Sequence, residues 1–445
     1  MSIITIIPRA IPAVAKITMG FEKRFDFLPP LAILFAIKYE VFNSSYLMLK
    51  YINIVAMKKK LTILCVLFCC VGSAQVSFND TIVVGAARNS EYMPILSGKR
   101  VAVLGNQTSM VASVHTVDRL LDLGVDVRKV FAPEHGFRGK ADAGEKINDG
   151  LDAKTGLPIK SLHGRKKKPS KEDLYDVDVV VFDIQDVGAR FYTYISTMHY
   201  IMESCAEQNK EFVVFDRPNP NGHYVDGPLL KEGNESFVGM HPVPIVHGMT
   251  IGEYAQMING EGWLSDGVNC NLQVIPCEGY DHNSMYELPV KPSPNLPNMA
   301  SIYLYPSLCL FEGTQVSIGR GTEKQFQLVG SPFNGTGDYR FTPIPRPGAK
   351  KPKHEGLECV GYDLSDFGAN QMPEVRSIYL HWLIAFYNNS SDKERFFRKD
   401  GFFRLLTGDR SIRKMIEEGR SAEQISRSWA DDVKAFMKIR EKYLL

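Results

Sequence analysis

The sequence has few cysteines and lacks the short motifs that usually mark a bound metal or nucleotide. Its 445 residues include eight cysteines, and no CxxC, HxH or HExxH pair is present to pre-set a zinc site. GxGxxG and GxxxxGKS/T are both missing, so a dinucleotide or a nucleoside triphosphate would lack its usual phosphate cradle. The absence of GxSxG argues against a serine-hydrolase elbow. We therefore expect no cofactor and no resident metal.

The charge balance gives no reason to expect a nucleic-acid partner. Lysine and arginine total 52 against 50 aspartates and glutamates, and 44% of the residues are hydrophobic. The basic run Arg165–Lys168 has no interleaved aromatics and is followed by polar residues. We interpret it as a solvated loop rather than a polyanion contact. The length allows two domains or slightly more.

The N-terminal region contains a predicted secretory signal peptide at residues 57–74. A lysine-rich start leads into an apolar stretch too short to span a membrane, and small residues precede a cleavage point after Ala74. We therefore expect a periplasmic or secreted protein with no stable membrane span. Lipidation at Cys69 or Cys70 is the alternative, which the bulky residues before them disfavour. We interpret residues 1–56 as a mis-called extension, with an unusual N-terminal anchor as the alternative.

Apolar runs alternate with helical segments through the next part of the chain. The predicted helices are His115–Leu123, Tyr194–Asn209 and a helix capped by Thr250 that continues through Asn259. The predicted strands are Lys99–Asn106, Val125–Phe131, Asp178–Ile184, Glu211–Phe215, Pro242–Val246 and Leu272–Ile275. This alternation predicts an α/β fold with a Rossmann-like parallel sheet.

The chain changes character near residue 290. A proline-rich joint, Lys291–Pro297, precedes a predicted surface loop at Pro343–Lys353 and a closing amphipathic helix predicted over Ala422–Tyr443. We therefore predict a Rossmann-like catalytic domain over residues 75–290 and a smaller α+β domain over residues 291–445.

Polar side chains follow the predicted strands. Because the carboxyl ends of parallel strands meet at one edge of a sheet, we expect these side chains to converge on a cleft. They are Asn106, Gln107, Glu134, His135, Gln185, Asp186, Arg190, Asp216, Arg217, Asn219 and His247. The pattern predicts a site without naming its reaction.

Glu134 is the candidate catalytic acid. It lies in Val130–Phe137, where an apolar strand meets Pro133, which cannot donate a ladder hydrogen bond, and Gly136, which permits a sharp turn. Burial beside apolar neighbours would raise its pKa, so that it could give up a proton near neutral pH. An exposed loop glutamate or a partner in a helix cap is the alternative.

Two further groups could complete a sugar-binding site. Phe182–Tyr194 carries carboxylates, an arginine and tyrosines that suit a hydroxyl-bearing ligand, namely Asp183, Asp186, Arg190, Tyr192 and Tyr194. Arg190 could instead neutralise Asp186 as a structural ion pair. Glu312 and Arg320 would add a second carboxylate and a cation, although Glu312 could also be part of a simple turn.

These motifs resemble those of the NamZ-type exo-β-N-acetylmuramidases, glycoside hydrolase family 171, long labelled a domain of unknown function. The segments that carry the resemblance are Pro133–Phe137, Phe182–Tyr194, Asp216–Pro220, Pro294–Pro297 and Phe311–Thr314. The resemblance extends from about Gly98 to the C-terminus. It implies a Rossmann-like domain joined to a smaller C-terminal domain, with the active site in the cleft between them.

The resemblance implies release of terminal β-linked N-acetylmuramic acid from the non-reducing end of peptidoglycan fragments. The family's glutamate maps onto Glu134, whereas Glu312 as its partner is our inference, and substrate-assisted attack by the 2-acetamido group stays open. The lactyl carboxylate would pair with Arg190 or Arg320. Two alternatives are a non-catalytic muropeptide-binding protein and a metal-dependent hydrolase that would use His135, His247 and neighbouring aspartates.

Overall fold

The computed structural model describes residues 82–138, 148–333 and 336–445. These residues belong to one compact unit, Phe78–Leu445. The predicted signal peptide at residues 57–74 and the extension at residues 1–56 lie outside the described residues. Both predicted domains contribute to the unit, and the boundary near residue 290 stays a prediction.

A seven-stranded sheet organises the first part of the unit, in the order β5-β6-β4-β1-β7-β8-β9. The strands up to this point in the chain are β1 Arg100–Gly105, β2 Met110–Val111, β3 Val114–His115, β4 Asp126–Ala132, β5 Gly150–Leu151, β6 Pro158–Ser161, β7 Val179–Asp183, β8 Glu211–Phe215 and β9 Asn271–Ile275. Within the seven-stranded sheet, all pairings are parallel except that of β5 with β6, and β2 and β3 form a separate antiparallel pair. The predicted Rossmann-like sheet is therefore confirmed.

The sheet is buried on both faces, as the apolar runs of its central strands require. Ala102 and Leu104 of β1 belong to one hydrophobic core, whereas Val101 and Val103 belong to the core on the opposite face. Successive side chains of a strand point to opposite faces, so this alternation is the direct result of strand geometry. The chain leaves β1 towards β4 and later returns to β7, which makes the carboxyl ends of β1 and β7 the topological switch point.

The helices surround this sheet and then dominate the C-terminal region. They are α1 Asn89–Leu96, α2 Thr116–Asp122, α3 Lys171–Leu174, α4 Tyr194–Glu207, α5 Ile251–Gly260, α6 Met299–Leu308, α7 Ser365–Asn370, α8 Met372–Val375, α9 His381–Asn388, α10 Lys393–Phe396, α11 Phe402–Thr407, α12 Ser411–Glu417, α13 Ala422–Arg427 and α14 Ala430–Arg440. A 3₁₀ helix, Cys309–Gly313, follows α6 directly. Thr250 caps α5 as predicted, in a capping box with Glu253.

The C-terminal region adds a small antiparallel sheet, ordered β10-β12-β11, to its helices. Its strands are β10 Leu328–Ser331, β11 Tyr339–Phe341 and β12 Cys359–Asp363. The predicted closing helix over Ala422–Tyr443 is in fact two helices, α13 and α14. Buried Trp429 lies at the break, where its Nε1 donates to Asp226 Oδ1 at 2.8 Å.

One predicted strand was wrong, and two strands of the seven-stranded sheet were missed. Pro242–Val246 forms no strand, and Val246 makes only isolated bridges to Ala189 and Asp226. Pro242 and Pro244 have no N–H, so every second residue is unable to donate to a ladder. The short strands β5 and β6, at one side of the sheet, were not predicted because neither has a long apolar run.

His247 therefore does not end a sheet strand, and it is buried in the core. Its Nδ1 accepts a hydrogen bond from the Met249 N–H at 3.2 Å, and its ring contacts Tyr254 edge to face. Burial, reinforced by the charges of Arg440 and Arg190, lowers the pKa of His247 to about 3.

We expect this histidine to make the protein less stable in acid. The unfolded chain binds a proton at position 247 below a pH of about 6.5, whereas the folded protein does not until about 3. The free energy of unfolding should therefore fall over this window, by up to about 1.4 kcal/mol per pH unit from this group. Urea unfolding of wild type and His247→Asn at several pH values would measure it.

The comparison of the two proteins isolates His247 from other buried groups. Burial raises the pKa values of Asp186 and Asp216 to about 7, and their protonation favours the folded state as the pH falls through that value. Both aspartates are present in His247→Asn, so their contribution cancels. Identical pH slopes for the two proteins would contradict the prediction.

Candidate active site

A cavity of about 930 Å³ lies between the carboxyl edge of the large sheet and the C-terminal region. Six residues predicted from the sequence line it: Glu134, His135, Tyr192, Tyr194, Glu312 and Arg320. They come from segments that are far apart in the chain. The volume is that of a site for a ligand of one or a few sugar rings.

The turn after β4 delivers Glu134 to this cavity. β4 ends at Ala132, and the turn that follows is closed by a hydrogen bond from the Gly136 N–H to the Pro133 carbonyl at 3.0 Å. His135 and Gly136 both have positive φ angles, 71° and 79°. Such backbone is costly for a non-glycine residue and is often retained where it positions a functional group. The prediction that the strand stops and turns sharply here is confirmed.

Glu134 contacts the start of helix α4. The Thr193 hydroxyl donates to Glu134 Oε2 at 3.0 Å. The neighbouring Tyr194 hydroxyl accepts from Asn106 Nδ2 at 2.9 Å and donates to the Pro292 carbonyl at 3.3 Å. Burial raises the pKa of Tyr194, and the charge of Glu134 raises it further. Glu134 is half-buried, and the polar groups beside it belong to the start of α4 and to the turn after β1.

Glu312 forms the second acidic group of the cavity. Arg320 Nε donates to Glu312 Oε1 at 2.5 Å, and the guanidinium lies over the Phe326 ring at 5.1 Å. Burial raises the pKa of Glu312, but the charges of Arg320 and Lys353 outweigh it, so the pKa is lowered overall. Glu312 is therefore ionised at neutral pH.

The segment Gly348–Lys353, which we call the strap, forms one side of the cavity. Lys353 Nζ donates to the carbonyls of Phe311, Thr314 and Val316 at 3.3, 2.7 and 2.9 Å. Burial lowers the pKa of Lys353 to about 8. Asn295 Nδ2 donates to the Gly348 carbonyl at 2.8 Å and fixes the strap to the proline-rich joint. The segment predicted as a surface loop, Pro343–Lys353, thus provides a wall of the cavity.

Aromatic rings form another wall. Tyr192 packs edge to face against Tyr194 and Tyr305, with centroids 5.0 and 5.6 Å apart. Tyr305 also contacts Phe191 and Phe326. Rings of this kind offer apolar faces to the C–H groups of a sugar, beside hydroxyls that can bind its oxygens.

Several lining residues were missed from the sequence. They are Thr193, Ser293, Asn295, Tyr305, Lys350, Lys351 and Lys353. Thr193 and Asn295 lie inside segments that carry the family resemblance, which was the available signal. The lysines had no such signal, because their composition is that of an ordinary surface loop.

Eight predicted site residues are not among the described residues that line the cavity. They are Asp183, Gln185, Asp186, Arg190, Asp216, Arg217, Asn219 and His247. All eight are buried. Their side chains bond to other groups at the sheet edge and do not line the cavity.

Asp183 and Arg217 form a buried ion pair at this edge. Arg217 Nε and Nη2 donate to the two oxygens of Asp183 at 2.6 and 3.0 Å. Gln185 donates to the carbonyls of Asp186 and Pro218 at 2.8 and 2.7 Å. The loops after β7 and β8 are therefore tied together by their own polar groups.

The other members of this set bond to backbone. Asp186 Oδ2 accepts from the Gly188 N–H at 2.6 Å, and Asp216 Oδ1 accepts from the Gly252 N–H at 2.7 Å. Asn219 Nδ2 donates to the Met249 carbonyl at 2.9 Å. Within the described ranges, no group of three or more histidines, cysteines, aspartates and glutamates is arranged to hold a metal ion.

Arg190 is fully buried, and its four terminal N–H groups meet backbone carbonyls. Nη1 donates to Pro228 and Val243 at 2.8 and 2.7 Å, and Nη2 donates to Leu406 and Thr407 at 2.9 and 2.8 Å. Neither alternative from the sequence describes this, because Arg190 does not line the cavity and its guanidinium bonds to carbonyls rather than to Asp186. It joins the sheet region to the C-terminal region.

The comparisons with known proteins concern nearly all of the described chain. The family described as exo-beta-N-acetylmuramidase NamZ, N-terminal, matches residues 101–300, and its C-terminal counterpart matches residues 303–445. Peptidoglycan beta-N-acetylmuramidase NamZ from Bacillus subtilis (strain 168) is 37% identical over 373 residues, covering 80% of this chain and 89% of that protein. Among the described residues, no helix combines the length and apolar character needed to cross a membrane.

Two solved structures of DUF1343 family proteins from Bacteroides fragilis have the same fold. One is 48% identical with a TM-score of 0.76, covering 82% of this chain and 98% of that one. The other is 30% identical with a TM-score of 0.66, covering 82% and 99%. The resemblance read from the motifs is confirmed over both halves of the chain, which belongs to the NamZ exo-β-N-acetylmuramidases, a family of glycosidases.

Proposed function

We propose that this protein releases terminal β-linked N-acetylmuramic acid from the non-reducing end of peptidoglycan fragments, with Glu134 as general acid. The observation that carries the proposal is that two carboxyl groups, Glu134 and Glu312, line one cavity. Glycosidic cleavage commonly uses two carboxyl groups that flank the scissile bond. The B. subtilis relative is named a peptidoglycan β-N-acetylmuramidase, which supports this substrate.

The two carboxyl groups have different surroundings and take different roles. Glu134 protonates the leaving oxygen of the glycosidic bond, which avoids expulsion of an alkoxide. Glu312 is held ionised by Arg320 and Lys353, as a base, a nucleophile or an electrostatic stabiliser of positive charge at the anomeric carbon must be.

The group that attacks the anomeric carbon has two candidates. Glu312 can act directly or through water, whereas the 2-acetamido group of the substrate can act without an enzymic nucleophile. Proton NMR of the first product separates inversion from retention. Inversion would exclude the acetamido route and a covalent Glu312 intermediate, because both give retention.

Cations on the same walls suit the carboxylate of N-acetylmuramic acid. Arg320, Lys350 and Lys351 line the cavity and would attract an anionic sugar, whereas Lys353 contributes only its charge because its Nζ donates to three carbonyls. Arg190 leaves the list of candidate ligands, since its terminal N–H groups are engaged by four carbonyls.

The predicted signal peptide at residues 57–74 supports a periplasmic or secreted location, where peptidoglycan fragments occur. We infer that the enzyme acts there in the breakdown of cell-wall sugars. The first residue of the protein recovered from the extracytoplasmic fraction tests this. A start well upstream of Gln75 would contradict it.

Product analysis tests the proposed activity. The mature protein is incubated with defined peptidoglycan oligosaccharides that carry N-acetylmuramic acid or N-acetylglucosamine at the non-reducing end, and products are identified by mass. We expect loss of a single N-acetylmuramic acid from the first type only, and survival of the activity after exhaustive chelation. Saturable binding without cleavage would indicate a binding protein, and loss of activity on chelation would indicate a metal-dependent hydrolase.

A further inference from the structure

We propose that Thr193 is a positioning residue for Glu134, fixing the orientation of the carboxyl group and determining which of its oxygens carries the proton. This inference rests on the proposed role of Glu134 as general acid. The contact that motivates it is the hydrogen bond from Thr193 Oγ1 to Glu134 Oε2 at 3.0 Å. Both residues line the cavity.

Thr193 is held by the helix that it precedes. Its carbonyl accepts hydrogen bonds from the N–H and the hydroxyl of Thr197, at 3.0 and 3.3 Å, in the first turn of α4. Helix α4 is long and buried over most of its length. The branched Cβ of threonine further limits its side-chain rotamers. A donor on so rigid a support can hold Glu134 in one orientation.

The hydroxyl next in sequence has a different task. Tyr194 donates its one proton to the Pro292 carbonyl and accepts from Asn106. A hydroxyl has a single proton to donate, so this pattern commits Tyr194 to the frame of the cavity. The Thr193 hydroxyl, in contrast, donates its hydrogen bond to the carboxyl group of Glu134.

The hydrogen bond has a direct chemical consequence. A donor at Oε2 makes that oxygen an acceptor, so the proton of the neutral acid resides on Oε1. During the reaction the O–H bond at Oε1 breaks, the proton passes to the glycosidic oxygen, and the electron pair stays on the carboxylate. The Thr193 hydroxyl strengthens its hydrogen bond as this negative charge develops, which stabilises the transition state.

Thr193→Val tests the proposal, because valine keeps the shape and removes the donor. We expect kcat/KM for release of N-acetylmuramic acid to fall roughly tenfold, with little change in thermal stability. Loss of a donor to the charged form makes the acid harder to ionise. The alkaline limb of the pH profile of kcat/KM should therefore move to higher pH, and Thr193→Ser should restore both the rate and the limb.

Thr197→Val is the matched control, because it removes only the longer of the two hydrogen bonds to the Thr193 carbonyl and keeps the N–H bond at 3.0 Å that holds Thr193 in place. It should keep the wild-type pH profile. A wild-type profile and rate in Thr193→Val, together with an inactive Glu134→Gln, would overturn the positioning role alone. An active Glu134→Gln would instead refute the proposed general acid, so the two failures are distinguishable.

Discussion

Glutamine at position 134 is expected to lower kcat for release of N-acetylmuramic acid by roughly 10²- to 10⁴-fold, the range that general acids contribute. The amide has the size of the carboxyl group and can still accept from the Thr193 hydroxyl, so the fold should be retained. It cannot deliver a proton to the leaving oxygen. Steady-state kinetics with a natural disaccharide, alongside thermal unfolding, would measure both effects.

The identity of the leaving group separates a general acid from other roles of Glu134. An aryl glycoside whose phenolate leaves readily needs little protonation, so the loss in Glu134→Gln should be much smaller with it than with the natural sugar. A nucleophile would be needed equally for both. Glu278→Gln, at an exposed site away from the cavity, is the matched control and should behave as wild type. Near-normal cleavage of the disaccharide by Glu134→Gln would contradict the assignment.

Local sequence patterns were sufficient to predict the sheet and the turn that carries Glu134. The strands β1, β7 and β8 are uninterrupted apolar runs, which can only be buried on both faces. Pro133, with Gly136 three residues later, determines where β4 stops. These features depend on residues that are adjacent in the chain, which explains why they could be read from it.

The orientation of the strand-end residues could not be read in the same way. Of the predicted strand-end residues, Glu134 and His135 after β4 line the cavity, as do Tyr192 and Tyr194 further along the loop after β7. The polar residues directly after β7 and β8 instead bond to each other and to backbone. One wall of the cavity is the segment Gly348–Lys353, which Asn295 binds through a hydrogen bond to the Gly348 carbonyl. Contacts between segments so far apart in sequence leave no local pattern.

Arg190 is the residue for which the sequence and the structure differ most. Its motif predicts contact with a ligand, whereas in the structure its guanidinium binds backbone carbonyls and holds two regions together. A guanidinium buried among the carbonyls of Pro228, Val243, Leu406 and Thr407 donates to all four of these acceptors. Burial lowers the pKa of Arg190 to about 10, which reflects the cost of keeping a cation there. Hydrogen bonds from this one side chain therefore link the sheet region to α11.

Arg190→Met is accordingly expected to lower the free energy of unfolding by about 3–5 kcal/mol, the usual result of removing one partner from a buried charged network. Methionine fills part of the volume but leaves the four carbonyls without these donors, and only the relief of burying the cation offsets this loss. Urea unfolding with an unchanged m-value would measure the effect. Arg395→Met, at an arginine whose side chain is 78% exposed, should cost no more than about 1 kcal/mol.

The kinetics of Arg190→Met distinguish support from ligand binding. If Arg190 only ties the two regions together, the folded fraction should bind substrate with a KM close to that of wild type, at a temperature well below its transition. If it contacted the lactyl carboxylate, KM would rise by one or two orders of magnitude while stability stayed close to that of wild type. The four carbonyl contacts require the first result, and the second would mean that the cavity opens in solution far enough to expose a guanidinium that is fully buried here.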